Sequence, residues 1–142
     1  VHELSPETQA AYLDEVFALL DDPDLDWLFD PTTGQAEVSL SGLLDTRPAG
    51  SATVVTGQID RLVLAPDRIA VVDYKTNRPP PDRIEDAPRV YLRQLATYRA
   101  LLKDIFPGRS IACALLWTDA PQLMWVPKEL MDAIMNPEEP AP

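Results

Sequence analysis

The chain has 142 residues, of which 46% are hydrophobic and only one is cysteine, and its net charge is −11. This composition is typical of one globular domain and excludes a disordered chain, an internal disulfide, and four-cysteine zinc or iron–sulfur sites. No apolar run approaches the ~20 residues of a membrane span, so we expect no membrane contact. A single cysteine suits a reducing compartment, and we expect a cytoplasmic protein.

The charge is unevenly distributed along the chain. Residues 1–46 contain eleven acids and no lysine or arginine, whereas residues 47–142 contain twelve of each sign. The stretch from Thr76 to Lys103 is locally basic, with six cations against three acids. We therefore expect the acidic third to face solvent or a partner domain, away from any polyanion.

The N-terminal third begins with a predicted helix over residues 5–20. Ser5 is a suitable N-cap, Pro6 fits the first helical position, and acids follow early. One apolar stripe is formed by Tyr12, Val16, Leu19 and Leu20. Residues 21–31 read as a loop or a short helical turn with apolar anchors. The sequence thus predicts an acidic helical segment over residues 1–30.

Three strands are predicted next. Alternation of apolar and polar residues predicts the first over 36–44, and a turn cluster follows over 45–52. The other two cover 53–64 and 68–76 and are separated by a tight reversal around Pro66–Asp67. The last two strands therefore read as an antiparallel hairpin.

The C-terminal half begins with a semi-rigid, proline-rich linker at 78–88. A helix is predicted from about Pro88 to Phe106, where Pro107-Gly108 ends it. Its apolar stripe consists of Tyr91, Leu95, Tyr98, Leu102 and Ile105. The remaining predicted elements are a strand at 109–118 covered on both sides, a weaker strand at 122–127, a helix at 127–135 and a frayed tail at 137–142.

The order of these elements predicts the fold class. A strand, a helix and a second strand in succession imply a parallel pair with a right-handed crossover. The preceding hairpin adds antiparallel strands to the same sheet. We therefore expect an α/β fold, with a mixed central sheet flanked by helices.

Three polar residues, Asp60, Asp73 and Lys75, stand out in the predicted hairpin. Asp73 and Lys75 are two apart on one strand, so both side chains leave the same face and Tyr74 points the other way. A two-residue or four-residue loop centred on Pro66–Asp67 places Asp60 opposite Asp73, with Cβ atoms ~5 Å apart. A three-residue loop would shift the register by one residue and separate the two acids.

Two carboxylates at that distance repel each other unless a positive charge offsets them. A hard divalent cation does so, and oxygen ligands suit Mg²⁺ or Mn²⁺. A lysine beside the two acids can position an attacking water or stabilise charge on phosphoryl oxygens. The constellation predicts metal-assisted hydrolysis of a phosphodiester. A plain ion pair between Asp73 and Lys75 is the alternative, although it leaves the second acid, Asp60, unexplained.

Three short motifs carry a resemblance to a known family. GQID (57–60), VVDYKT (71–76) and QLATY (94–98) resemble the G-x-x-D, D-Y-K and Q-L-x-x-Y motifs of RecB-type nucleases, which belong to the PD-(D/E)XK, restriction-endonuclease-like superfamily. The runs YKTNRPPP, YLRQLATYRALL and ALLWTDAPQLM resemble the C-terminal nuclease domain of AddA-type helicase–nucleases. The resemblance covers about residues 36–127 and implies a restriction-endonuclease-like nuclease domain over residues 36–136.

The resemblance implies a metal site. Asp60, Asp73 and the Tyr74 backbone carbonyl would be metal ligands, and Lys75 would be the catalytic lysine. The family also supplies a metal-ligating histidine from an upstream helix, and the context of His2 does not match that motif. Because the chain begins with valine, we expect it to be a fragment that starts after this histidine, and to bind metal poorly and cut slowly or not at all by itself.

Other residues receive supporting roles from the resemblance. Gln94 and Tyr98 would border the site and hold the DNA or the catalytic residues, although Tyr98 also lies on the core stripe. Glu37 matches an acid that precedes the first sheet strand in this family and would join the metal shell or only brace it. Arginines of the linker and helix would contact DNA phosphates, or only solubilise an exposed surface; they are Arg78, Arg83, Arg89 and Arg93.

The function implied by the resemblance is that of a Mg²⁺- or Mn²⁺-dependent deoxyribonuclease, an exonuclease domain of a helicase–nuclease that processes double-strand breaks. The expected partners are DNA, the helicase domains of the same parent chain and a second helicase–nuclease subunit. ATP would bind only to the parent's motor domains, since this chain has no Walker motif.

Two other functions stay open. One is a catalytically inactive nuclease-fold module that guides DNA or docks a partner subunit through the acidic third. The other is an unrelated acidic interaction domain in which Asp73 and Lys75 form only an ion pair.

Overall fold

The computed structural model describes residues 5–46, 51–77, 79–119 and 121–136. The strands are β1 Gly34–Thr46, β2 Ser51–Leu64, β3 Ile69–Lys75, β4 Ile111–Trp117 and β5 Gln122–Val126. The α-helices are α1 Pro6–Asp21, α2 Asp26–Phe29, α3 Arg89–Ile105 and α4 Lys128–Met135, with 3-10 turns at Pro23–Leu25 and Ile84–Asp86. The tail predicted over 137–142, His2 and Arg78 lie outside the described residues.

The five strands form one mixed sheet in the order β1-β2-β3-β4-β5. Antiparallel pairs join β1 to β2, β2 to β3 and β4 to β5, whereas β3 and β4 are parallel and are connected through α3. The predicted α/β fold with a mixed central sheet is confirmed, because the hairpin and the strand–helix–strand unit both form where the sequence placed them.

The register of the β2–β3 hairpin decides which side chains meet. Its pairs run from Leu64–Ile69 to Arg61–Val72, and a two-residue loop at Pro66–Asp67 closes it. This is one of the two loop lengths that place Asp60 opposite Asp73. The register matters because a shift of one residue would turn every side chain of β3 toward the opposite face of the sheet.

Helices cover both faces of the sheet, and each face has its own apolar core. On the first face lie α3 and α4, and α3 buries Leu92, Leu95, Ala96, Tyr98, Leu101 and Leu102. On the other face the N-terminal helices pack against the sheet through Leu19, Leu25 and Leu28. Strand β4 contributes to both cores, so the prediction of a strand covered on both sides is confirmed.

The acidic segment packs as an extension of the second core. Ser5 caps α1 by accepting a hydrogen bond from the Thr8 N–H, as the sequence predicts. Only Leu19 of the predicted stripe is buried, and its other members, Tyr12, Val16 and Leu20, are each about half exposed. This segment lies on the sheet face opposite to Asp73 and Lys75. The division of the chain into a segment over residues 1–30 and a domain over residues 36–136 stays a prediction.

The far end of α3 departs from the predicted stripe. Ile105, its last member, is 51% exposed, because it is the final helical residue and stands beyond the buried stretch that ends at Leu102. No helix in the described part of the chain is both long and apolar enough to cross a bilayer.

Candidate active site

The candidate site begins where β2 and β3 stop pairing. The last pair of their ladder is Arg61–Val72, and one step further Asp60 lies opposite Asp73. There the Tyr74 backbone N–H donates a hydrogen bond of 2.9 Å to Asp60 Oδ2 rather than to a main-chain carbonyl. The predicted register is therefore right, but the strands separate at this point. The Asp60 carboxylate spans the gap and is held there by the neighbouring strand.

A backbone irregularity accompanies this separation. The β1–β2 pairing omits Glu37, which lies opposite Asp60 and has a φ of 55°, in the left-handed region. Such a conformation costs about 1 kcal/mol or more for a residue other than glycine. Leu62 and Ile59 are three residues apart, yet both enter the core beneath α3, so β2 changes its inward face at Asp60. The strained residue and the acid thus mark the same kink.

The Glu37 side chain is exposed at this kink. Among the described residues, no group of three or more acids, histidines or cysteines is close enough to hold a metal ion. Glu37 therefore does not complete a three-acid cluster with Asp60 and Asp73 here. Whether it joins the metal shell or braces the strand stays a prediction.

The side chains of Asp73 and Lys75 meet on the α3 face of the sheet. Asp73 Oδ2 lies 2.6 Å from Lys75 Nζ, and the side chains are only 6% and 15% exposed. Burial, followed by the neighbouring Asp60 carboxylate, raises the pKa of Asp73 from 3.8 to about 6, and the Lys75 ammonium opposes this shift. Asp60, Asp73 and Lys75, which the predicted hairpin places on one face, are thus neighbours in the fold.

The geometry fits a divalent cation. Asp73 Oδ2 is buried, and the Lys75 ammonium lies beside it at 2.6 Å. Lys75 brings one positive charge to two neighbouring carboxylates, so a net negative charge is left that a divalent cation would offset. Asp60 and Asp73 would supply the ligands, and the Tyr74 carbonyl stays a predicted third. Few carboxylates are what Mg²⁺ and Mn²⁺ sites use.

Tyr74 itself faces the other way, as its position on β3 requires. Its ring packs with the second core, next to the N-terminal helices, while its backbone stays at the site. Burial raises the pKa of the Tyr74 hydroxyl, the nearby Arg61 lowers it, and Asp60 adds a smaller rise. The phenol is therefore kept neutral and remote from the site.

A further aromatic residue, which the sequence indicated only as core, borders the lysine. The centroid of the Tyr91 ring lies 3.9 Å from Lys75 Nζ, and the Tyr91 hydroxyl accepts a hydrogen bond of 2.8 Å from Asn77 Nδ2. Trp117, the partner of Lys75 in the β3–β4 ladder, lies behind it with ring centroids 6.3 Å apart. The available signal was that Tyr91 precedes Gln94 by one helical turn and shares its face.

Gln94 and Tyr98 join α3 to β2. Gln94 Nε2 donates to the Tyr98 hydroxyl at 3.1 Å, and that hydroxyl donates to the Gln58 carbonyl at 2.9 Å. Gln58 lies two residues before Asp60, so the chain of hydrogen bonds supports the strand that carries the acid. Tyr98 is 4% exposed and therefore packs in the core, and its role in holding the DNA or the catalytic residues stays a prediction. The Gln94 side chain is exposed, and a contact between Gln94 and DNA stays a prediction.

The GQID motif begins with a glycine, Gly57, because the Tyr98 ring lies against its backbone. A Cβ at this position would lie 2.6 Å from Cε1 of the Tyr98 ring. We expect Gly57→Ala to lower the free energy of unfolding by about 1–3 kcal/mol, since the buried ring is held by two hydrogen bonds and cannot move freely. Urea denaturation measures this. In a Tyr98→Leu background the same methyl group should cost clearly less, and an equal cost in both backgrounds would contradict the proposed clash.

Of the predicted arginines, Arg93 lies in the groove that leads to the site. Arg89 and Arg93 are exposed on the first two turns of α3, and Arg93 lines a groove of about 390 Å³ that also contains Lys75. Arg83 forms an exposed ion pair with Glu85 at 3.6 Å, and Arg78 lies outside the described residues. Phosphate contacts by Arg89 and Arg93 stay predictions.

Comparison with known proteins supports the geometric description. The chain matches the PD-(D/E)XK nuclease superfamily over residues 6–129, whereas no curated protein matches it. The crystal structure of a protein described as "Putative exonuclease" from Eubacterium rectale is similar, with a TM-score of 0.64 and 16% identity over 93% of this chain and 50% of that one. The structure of SSO0001 has a TM-score of 0.46 and 15% identity, over 90% of this chain and 58% of that one.

The chain spans only half the length of the exonuclease chain that it matches. At 16% identity, that similarity concerns the fold.

Proposed function

The chain belongs to the PD-(D/E)XK nuclease superfamily, and on this premise we propose that it hydrolyses DNA phosphodiesters at a divalent-metal site. The observation that carries the proposal is the cluster of the buried Asp73 with the partly buried Asp60 and Lys75, at the point where β2 and β3 separate. A plain ion pair explains Asp73 and Lys75, but it does not explain a second carboxylate that raises the pKa of the first.

Each residue of the cluster has a distinct task. Asp60 and Asp73 would bind Mg²⁺ or Mn²⁺, which when bound supplies positive charge to phosphoryl oxygens and acidifies a water. The Tyr74 N–H orients the Asp60 carboxylate. Lys75, an ammonium in a poorly solvated place, orients the attacking water or stabilises the charge that develops on the phosphoryl oxygens.

The DNA strand would approach through the groove between β2 and α3. Lys75 and Arg93 both line this groove, so a phosphate beside the two acids would meet cations along its path. Arg89 lies one turn earlier on α3 and Arg78 follows β3 in sequence. The acidic N-terminal segment covers the opposite face of the sheet, where it would not repel the strand.

We further propose that the parent protein is an AddA-type helicase–nuclease that processes double-strand breaks in the cytoplasm. The support is the resemblance of residues 74–81, 91–102 and 114–124 to that group. ATP hydrolysis would take place in separate motor domains, and a second helicase–nuclease subunit would be the partner. The reading frame that encodes the chain should then also encode a Walker motif upstream, and a frame without motor motifs would refute this assignment.

The nuclease activity is tested with the full-length protein that contains these residues. Single-stranded and duplex DNA, labelled at one end, are incubated with Mg²⁺, with Mn²⁺ or with EDTA. We expect cleavage with at least one metal, loss of cleavage in EDTA, and loss of cleavage in the Asp60→Asn variant. A protein that cuts neither DNA with either metal is the inactive module that guides DNA or docks a partner, and the proposal fails.

A further inference from the structure

The ring of Tyr91 makes an aromatic contact with the candidate catalytic lysine, Lys75. Its centroid lies 3.9 Å from Lys75 Nζ, well inside the ~6 Å within which a cation is attracted to an aromatic face. On another side, the same ammonium lies 2.6 Å from Asp73. Because the Lys75 side chain is only 15% exposed, water screens neither contact strongly. The ammonium is thus held between a carboxylate and a π face.

The Tyr91 ring is itself fixed in place. Asn77 donates to its hydroxyl at 2.8 Å, which ties the first turn of α3 to the segment that leaves β3. Trp117, 1% exposed, lies next to it with an interplanar angle of 54°. Trp117 on β4 is also the ladder partner of Lys75 on β3, so the Tyr91 ring packs against the strand next to the one that carries the lysine.

A second contact matters because a lysine is a flexible chain that ends in a point charge. Lys75 already contacts Asp73 at 2.6 Å, but with that contact alone the ammonium could turn about the carboxylate through several side-chain rotamers. An aromatic face attracts the charge from another direction and leaves N–H groups available for a water or a phosphoryl oxygen.

We propose that Tyr91 is a positioning residue, whose ring holds the Lys75 ammonium beside Asp60 and Asp73 in the orientation that the reaction requires. The catalytic half of this proposal rests on the proposed nuclease function. The contact between ring and ammonium belongs to the metal-free chain and is tested without cleavage.

The matched variants are Tyr91→Phe and Tyr91→Leu. Phenylalanine keeps the aromatic face and loses only the hydrogen bond from Asn77, whereas leucine keeps an apolar side chain and loses the face. If Tyr91→Leu fails to fold, as judged by circular dichroism, Tyr91→Met replaces it. A residue that merely fills the core would be served by leucine or methionine about as well as by phenylalanine.

Proton NMR of the metal-free chain reads the contact directly, because the chain has three lysines in all, namely Lys75, Lys103 and Lys128. The ε-methylene protons of Lys75 lie near the ring face and should resonate upfield of those of the exposed Lys103 and Lys128. The shift should persist in Tyr91→Phe and disappear in Tyr91→Leu. Lys75 signals that coincide with the other two in the wild type would overturn the proposal, whatever the nuclease assay shows.

Cleavage kinetics of the full-length protein then test the consequence. Tyr91→Leu should lower kcat about 10- to 100-fold with KM within about threefold, and Tyr91→Phe should stay within about threefold of the wild type. In a Lys75→Ala background Tyr91→Leu should have little further effect. The positioning role is refuted if Tyr91→Phe loses as much kcat as Tyr91→Leu. It is also refuted if Tyr91→Leu lowers kcat by the same factor in the Lys75→Ala background as in the wild type, or if only KM changes. A wild type without activity would refute the nuclease proposal and leave the NMR result to decide the contact.

Discussion

Lys75→Ala is expected to lower the rate of DNA cleavage by about 10²- to 10³-fold while the protein still binds its metal ion. Lys75 is the cation that contacts the carboxylate cluster, at 2.6 Å from Asp73, and its partial burial makes each interaction stronger than it would be in water. Arg93, which also lines the groove, is exposed and cannot take over that place. The loss should therefore fall on kcat.

Metal affinity should change in the opposite direction. In the metal-free protein the Lys75 ammonium neutralises Asp73, so it competes with an incoming cation for the same oxygen. Its removal should strengthen binding of Mn²⁺ severalfold, as measured by calorimetry under conditions without turnover. A simultaneous rise in affinity and fall in rate separates a catalytic role from a structural one, because a damaged site would lose both.

Lys103→Ala is the matched control, since it removes an exposed lysine from the last turn of α3. It should cleave DNA at the wild-type rate. Lys75→Arg keeps the charge but replaces a compact ammonium with a planar guanidinium, and we expect it to recover only part of the activity. If Lys75→Ala cleaves as fast as the wild type, the lysine has no part in the chemistry and Asp73 and Lys75 are an ordinary ion pair.

The hairpin register was predictable because several local signals agree. A proline at the turn and a run of strand formers on each side predict a hairpin centred on Pro66–Asp67, and two of the three loop lengths considered place Asp60 opposite Asp73. The parallel pair of β3 and β4 follows in the same way from a long helical pattern between two apolar runs. These features depend on periodicity, which a single sequence displays.

The kink at Asp60 could not be predicted from such periodicity. The pattern assumes regular strands, whereas Glu37 has a positive φ and β2 changes its inward face between Leu62 and Ile59. Nothing in a glutamate flanked by strand formers signals the left-handed region. The separation of β2 from β3, which lets the Tyr74 N–H reach the Asp60 carboxylate, was missed for the same reason.

Helical stripes show a second limit, since they indicate which side chains share a face but not what covers them. The stripe of α3 is longer than the core beneath it, so Tyr91 at one end lies over Lys75 while Ile105 at the other end is exposed. In α1 only Leu19 is buried. A residue at the end of a stripe is therefore a candidate for a site as much as for the core. Individual roles at the site remain predictions from the resemblance and the geometry.

Asp73→Asn is expected to abolish cleavage and to stabilise the metal-free chain above pH 6. Burial and the Asp60 carboxylate raise the pKa of Asp73 from 3.8 to about 6, so between these values the folded state binds a proton that the unfolded state has lost. The free energy of unfolding of the wild type should therefore fall as pH rises from about 4 to about 6, by up to about 3 kcal/mol at 1.36 kcal/mol per pKa unit. This sign is opposite to that of an aspartate stabilised by a salt bridge.

Asparagine has nearly the same shape as aspartate and carries no charge. The free energy of unfolding of Asp73→Asn should therefore not show the fall between pH 4 and pH 6 that is expected for the wild type. Guanidinium denaturation in EDTA should find it more stable than the wild type by about 1–3 kcal/mol at pH 8 and about equal at pH 4. The exposed Asp104 provides the control, since Asp104→Asn removes the same charge from a chain of net charge −11 without touching the site.

Mg²⁺ or Mn²⁺ should reverse the order at pH 8. A ligand that binds only the folded state adds RT ln(1 + [L]/Kd) to the free energy of unfolding, and the wild type has two carboxylates for it whereas the variant has one. The metal should therefore stabilise the wild type and have little effect on Asp73→Asn. A variant that is less stable than the wild type at pH 8 in EDTA would show that the Lys75 contact outweighs the repulsion by Asp60. Asp73 and Lys75 would then form a structural ion pair, and the repulsion that favours a metal ion between Asp60 and Asp73 would be absent.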